Sequence, residues 1–265
     1  MDTRDAADIV TRLRTAGCVF AEDEARLLTE ATDSADELDR LVAQRVSGVP
    51  LEYLLGWAEF RGIRVGVRPG VFVPRQRTAF LVDEAAASAR AAGCDELVVV
   101  DLCCGSGALG LALVTELAKE MTRIDVDAAD IDPVAVACAR ENLMPVGGRA
   151  HEGDLFAALP PRLRGRIDIL LCNTPYVPSD EIARMPPEAR DHEPTAALDG
   201  GADGLDIFRR VAAAAPEWLA RGGQLLVEIS VEQQDTAAAI AAGAGLTPKI
   251  AHSPDLYATA IVCAR

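Results

Sequence analysis

At 265 residues with half of them apolar, the chain is long enough to bury a full core, as one large domain or a large one with a small appendage. Its formal charge of −15 argues against a protein that grips DNA or RNA by the phosphates, because that binding draws its affinity from clustered Lys and Arg. The opening MDTRDAADIV lacks the apolar core of a secretory leader and nothing later resembles a membrane span, so a cytoplasmic protein without a membrane partner or direct DNA binding is expected.

The first fifty residues carry helical patterning. DAADIVTRLRTAG and AEDEARLLTEAT space apolar residues by three and four, and SADELDRLVAQRVSG opens on Ser34 with Glu37 three positions on, the pattern of a capping box. Next, Ile63, Val65 and Val67 alternate with Arg64, Gly66 and Arg68 in FRGIRVGVRPGVFV, which predicts a hairpin with one wet face. The expected organisation is a helical unit over 1–57, a linking hairpin over 58–74 and a larger domain over 75–265.

In that larger part strands and helices alternate. ELVVVDL is a continuous apolar run suited to a sheet covered on both faces, and a helix is predicted from Ala108 to Glu120. RIDVDAADI, VAVACAREN, IDILLCN, LDIFRRVAAAAPEWLA, GQLLVEI, VEQQDTAAAIAAG and YATAIVCA continue the alternation, predicting an α/β fold whose doubly wound, mainly parallel sheet binds its ligand at the carboxyl ends of the strands. The stretch from Asn173 to Asp203 reads as one long loop. Seven scattered cysteines without a C-x-x-C, and His151, His192 and His252 standing apart, indicate neither a disulfide framework nor a metal site.

DLCCGSGALG places Gly105, Gly107 and Gly110 between a strand and its helix, a cofactor loop that by itself also fits a dinucleotide. Asp101 ends the strand just before it. An acid there repels a pyrophosphate and is compatible with S-adenosylmethionine, which carries an ammonium and a sulfonium, so a methyl donor is preferred. Asp130 and Asp132 in AADIDP both lie at a suitable distance for the acid that accepts a ribose diol. Asp130 is the choice, because Asp132-Pro133 reads as the N-cap and first position of a helix. In HEGDLF, Asp154 is a candidate acceptor for the adenine amine and Leu155 a cover for its ring.

The ordered segments GVPLEYLLGWAEFRG, VFVPRQRTAFLV, DLCCGSGALGLAL, DIDPVAVACAREN, GDLF, NTPY, EPTAALDGGADGLDIFRRV and LLVEI resemble the bacterial HemK-type glutamine methyltransferases, which methylate a glutamine side-chain amide in peptide chain release factors. The likeness runs from about residue 48 to 230. It implies a class I S-adenosylmethionine-dependent methyltransferase fold, Rossmann-like, with a small N-terminal helical domain and a connecting β-hairpin. By the resemblance, the cofactor contacts are Cys103, Cys104, Gly105, Ser106, Gly107, Asp130 and Asn173, to which the residue reading adds Asp101, Asp154 and Leu155. The substrate amide falls to Asn173, Thr174, Pro175 and Tyr176, of which Asn173, Pro175 and Tyr176 carry the catalysis, and no metal is required. The partner is then a protein, a release factor or another glutamine-containing chain.

That role gives the strand end a chemical reason. An amide nitrogen is a weak nucleophile because its lone pair is delocalised, so catalysis rests on holding it in line with the methyl group. Two acceptors, the side-chain oxygen of Asn173 and the backbone carbonyl of Thr174, match its two N–H bonds. The sequence departs from the family pattern at Thr174, which replaces the first proline of Asn-Pro-Pro-Tyr, at Arg77 in PRQRT, where the family usually has an acid, and at Cys103, generally glycine. The helical unit is also shorter than usual. These departures predict weak methylation of a release factor beside that of another acceptor, such as a second protein or a small amide or amine. A nucleobase amine and a non-catalytic nucleotide-binding regulator are the competing readings. Arg61, Arg64, Arg68, Arg75 and Arg77 form either a docking strip for an acidic or RNA-bound partner or a solvated face, and Glu193 sits in a loop that either closes over the substrate or merely covers the surface.

Overall fold

The computed structural model describes residues 3–265. Four helices open the chain, α1 (Thr3–Thr15), α2 (Ala21–Glu30), α3 (Ala35–Val46) and the short α4 (Leu51–Leu55). The first three bury Ile9, Leu13, Leu28, Leu41 and Val42 among themselves, a core separate from that of the sheet. Ser34 caps α3 by accepting the Glu37 N–H, but the reciprocal half of the predicted box is missing because the Glu37 carboxylate binds Arg40 instead. A complete box occurs where none was read, at Ser230 and Gln233.

The linking hairpin is shorter than predicted. Strands β1 (Trp57–Phe60) and β2 (Ile63–Gly66) turn at Arg61-Gly62, and the following 67–75 runs as a strap without a strand. Beyond it come α5 (Ala79–Ala92), β3 (Glu96–Leu102), α6 (Ala108–Leu117), β4 (Arg123–Asp130), α7 (Pro133–Leu143), β5 (Arg149–Glu152) and β6 (Ile167–Cys172). The chain ends with α8 (Pro187–His192), α9 (Asp206–Trp218), β7 (Leu219–Ile229), α10 (Gln234–Gly243), β8 (Thr247–Ser253) and β9 (Ala258–Ala264).

The seven strands β3 to β9 form one sheet in the order β5-β4-β3-β6-β7-β9-β8, parallel except at β9, which pairs antiparallel with both neighbours. Both faces are covered. Val99, Ile169 and Leu171 pack with α5, α6 and α7, while Val100, Leu102 and Leu170 pack with α9 and α10. That two-sided burial is why the strands read as continuous apolar runs. The order reverses between β3 and β6, opening a crevice at their carboxyl ends. No helix among the described residues is long and apolar enough to cross a membrane.

Candidate functional site

A cleft of about 1450 Å³, counting the solvent at its mouth, opens at that crevice. Its walls come from the loop after β3 (Cys103, Cys104, Gly105, Ser106), the end of β4 (Asp130 to Asp132), Asp154 and Leu155 after β5, and Asn173 to Val177 after β6. The strap contributes Phe72, Pro74, Arg75, Arg77 and Thr78, and the segment after α8 contributes Pro194 and Ala196 to Leu198. Segments more than a hundred residues apart thus converge, those after β3, β4, β5 and β6 because they leave neighbouring parallel strands at the same edge.

Asp130 organises the cofactor-side wall. Its Oδ2 accepts the Gly105 N–H at 2.9 Å and its Oδ1 the Asp132 N–H at 3.0 Å, which fixes the glycine loop against β4. Burial raises the pKa of this carboxyl. Asp132 is the α7 N-cap, accepting from Val134 at 2.7 Å with Pro133 next, as its sequence position predicts. Cys103 holds φ +52°, a left-handed conformation unusual for a side chain with a Cβ. Asp154 is half exposed and accepts from Arg210 Nη2 at 2.6 Å, so one of the two oxygens expected to meet adenine is already engaged by a cation.

Two expected cofactor contacts are displaced from the wall. Asp101 is 1% exposed and stands behind the loop, where Oδ2 accepts the Gly110 N–H at 3.0 Å and Oδ1 has no partner among the described residues. Burial, more than any neighbouring charge, pushes its carboxyl up to about 8. Gly107, at φ +74°, serves the turn: an added Cβ would lie 3.2 Å from that of Ala139 on α7.

At the opposite end, Asn173 Oδ1 is buried in the cleft wall without a partner among the described residues, and Thr174 is 2% exposed beside it. The Tyr176 hydroxyl donates to Glu228 Oε1 at 2.9 Å and accepts from Arg77, whose Nε also donates to Glu228 Oε1 at 3.0 Å. Burial raises the Tyr176 pKa, keeping the phenol protonated as the donor to Glu228. Backbone support comes from the other side: the Val177 N–H donates to the Leu198 carbonyl, the Gly200 N–H donates to the Val177 carbonyl, and Gln233 Nε2 donates at 2.9 Å to the carbonyls of both Tyr176 and Asp203. Glu228 and Gln233 were not singled out in the sequence, although LLVEI belongs to the segments that carry the resemblance. Their distances in sequence from Tyr176, 52 and 57 residues, leave no spacing signal.

The arginine run is not a free basic strip. Arg61 pairs with Asp83 and Glu116, Arg68 with Glu141, Arg75 with Glu193 and Arg77 with Glu228, and Arg64 lies 4.0 Å over the Trp57 ring. Glu193 is likewise not a surface residue. It is 5% exposed and its carboxylate accepts the Val73 N–H at 3.0 Å and the Arg75 guanidinium at 2.6 Å, pinning the strap to the segment after α8. All seven cysteines are free, and the described residues contain no cluster able to hold a metal ion. His151 has a structural partner, Asp127 at 2.7 Å, which is fully buried between it, Arg149 and Arg162.

With this geometry in hand, the family model described as "Methyltransferase small domain" matches residues 63–186. The release factor glutamine methyltransferase of Geobacter sulfurreducens is 40% identical over 74% of this chain and 66% of its own length, so the chain spans just under two thirds of that relative. The release factor glutamine methyltransferase of Cereibacter sphaeroides is 35% identical over 89% of this chain and 83% of its own length. The ribosomal protein uL3 glutamine methyltransferase of Bordetella pertussis is 38% identical, with coverages of 82% and 70%. Among solved structures, a 16S rRNA N2 methyltransferase of T. thermophilus in complex with S-adenosylmethionine and guanosine superposes with a TM-score of 0.53 at 19% identity, over 79% of this chain and 49% of that one. A methyltransferase of Pyrococcus furiosus gives 0.53 at 13% identity, over 77% and 89%. At such identities these two establish the methyltransferase fold and nothing finer.

Proposed function

Because the chain belongs to the family of glutamine methyltransferases that includes the release factor and ribosomal protein uL3 enzymes, we propose that it methylates the side-chain amide nitrogen of a glutamine in a protein, using S-adenosylmethionine. The cleft fits that cofactor at its loop end, where Gly105, Asp130 and Leu155 share a wall and Asp130 is already oriented by two backbone N–H groups. Bound there, S-adenosylmethionine supplies the electrophilic methyl group. The residues of the chain do the rest. Asn173 Oδ1 and the Thr174 carbonyl accept the two amide N–H bonds, and Tyr176, fixed by Glu228 and Arg77, packs against the planar group. Their contribution is orientation of a weak nucleophile in a site screened from water.

The observation that carries this reading is Asn173 Oδ1, an acceptor buried in the cleft wall with no donor among the described residues. A buried polar atom left unpaired is costly, and in a site it marks where a ligand donor belongs. The departure at Arg77 does not change the acceptor chemistry, since its charge is cancelled on the spot by Glu228. A neutral amide therefore remains the best match, which favours a release factor glutamine as the first acceptor to try. Single-turnover transfer from labelled S-adenosylmethionine to an unmethylated release factor, and in parallel to unmethylated uL3, tests it. Asn173→Ala should slow transfer roughly a hundredfold to a thousandfold, the range for deleting one preorganised polar group, with cofactor affinity and melting temperature little changed. A rate within about threefold of wild type would remove Asn173 from the reacting nitrogen.

A further inference from the structure

Thr78 sets a second buried, unsatisfied group into the same cleft. It is 3% exposed, it lines the wall, and its Oγ1 has no hydrogen-bond partner among the described residues. The position makes this unusual. Thr78 immediately precedes α5, where a threonine hydroxyl ordinarily caps the helix or bonds back to a carbonyl one turn earlier. Thr11, Thr15, Thr29 and Thr115 all bond back to the carbonyl four residues earlier, whereas Thr78 neither caps α5 nor bonds back. Its backbone N–H is satisfied by Arg75, so only the hydroxyl is unspent.

Chemistry distinguishes the two orphans. Asn173 Oδ1 can only accept, while the Thr78 hydroxyl can donate. A primary amide presents N–H donors on one side and a carbonyl acceptor on the other, and one of each is what the wall leaves open. The two residues are also tied together, because Arg77, the neighbour of Thr78, binds the hydroxyl of Tyr176, three residues after Asn173. Resting on the amide reading above, we propose that the Thr78 hydroxyl donates to the carbonyl oxygen of the methyl acceptor and so selects a carboxamide over an amine.

The effect must appear in binding. A hydrogen bond to the carbonyl oxygen draws electron density away from the nitrogen, so it holds the substrate without activating it. It gains no strength in the transition state, so its loss raises KM and leaves kcat nearly intact or slightly higher. Thr78→Val replaces the hydroxyl by a methyl of the same shape. Since the hydroxyl has no protein partner to lose, the melting temperature should hold or rise. Steady-state transfer to an unmethylated release factor and to unmethylated uL3 should show a KM about tenfold higher in Thr78→Val, with kcat within about threefold, and a KM near wild type in Thr78→Ser. A KM within twofold of wild type in Thr78→Val, or a loss confined to kcat, overturns the assignment while the amide reading stands. Wild type that transfers to neither protein overturns the amide reading, and the Thr78 assignment falls with it.

Discussion

Asp101, behind the glycine loop, is a carboxyl 1% exposed with one oxygen unpaired among the described residues. Burial pushes its carboxyl up to about 8, well above the ordinary aspartate range, so across that window the folded state holds a proton that the unfolded chain has released. Stability therefore falls as pH rises from about 4 to about 8. Asp101→Asn keeps an oxygen for the Gly110 N–H and has no charge to bury. Its denaturant-derived stability should be nearly flat over this range and exceed wild type at pH 8; parallel pH profiles would show that the carboxyl ionises freely in the fold. Cys103 makes a smaller, local prediction. A left-handed φ of +52° suits glycine and is worst for a β-branched residue. Cys103→Gly should hold stability within about 1 kcal/mol, whereas Cys103→Val should lose about 2 kcal/mol or more by chemical denaturation. Equal stabilities would mean that the loop relaxes to another backbone shape. Single residues such as Asp130 and Asn173 were legible because each ends a strand next to a motif. Glu228 and Thr78 were not, since their meaning lies in what they meet across the cleft or fail to meet.

At the scale of elements, the Asn173–Tyr176 turn is shaped by a loop that arrives later in the chain. An added Cβ at Gly200 would lie 2.6 Å from the backbone oxygens of both Gly204 and Pro175, atoms that can yield only if the two segments part. Gly200→Ala should therefore cost about 1–3 kcal/mol and slow methyl transfer by moving Pro175. Gly243, at the end of α10 with open space around it, is the matched control, and Gly243→Ala should be neutral or stabilising by up to about 1 kcal/mol. Comparable losses in both variants would refute the close approach as the cause. The same scale explains what the sequence concealed. Long buried strands such as β3 announce themselves by apolar runs, but β5 is four residues of Arg-Ala-His-Glu, and β8 is an edge strand with Lys249 and His252 among its seven residues. Neither was read as a strand, because an edge needs few apolar side chains and takes its regularity from its neighbour's hydrogen bonds. The stretch from Asn173 to Asp203 likewise contains α8 and short 3₁₀ turns instead of one open loop, held by Glu193 and by backbone bonds that no local pattern encodes.

Across the whole molecule, Arg45 ties the helical unit to the helix that precedes the cleft wall. Arg45 of α3 donates to Glu24 of α2 at 2.7 Å, and its other nitrogen reaches Glu188 on α8 at 3.1 Å; the side chains of Arg45 and Glu24 are 9% and 10% exposed. Burial disfavours the Arg45 charge, but Glu24 and Glu188 more than offset it and raise its pKa. Such a pair is weak evidence of net stabilisation, yet removing one member strands the other. Arg45→Met should thus cost about 3–5 kcal/mol by leaving Glu24 buried and unpaired, and adding Glu24→Met should recover most of that loss. Glu188 is 41% exposed, and Glu188→Ala should change stability by no more than about 1 kcal/mol. It sits, however, on the helix that leads into Pro194 and Leu198 in the cleft wall. If the helical unit helps place that wall, Glu188→Ala will weaken transfer to the protein substrate while leaving S-adenosylhomocysteine affinity unchanged, because the cofactor end of the cleft is built from the loops after β3, β4 and β5, none of which Glu188 touches. Calorimetric affinity for S-adenosylhomocysteine beside single-turnover transfer separates the two effects, and an unaltered transfer rate would mean that the two units are joined for stability only.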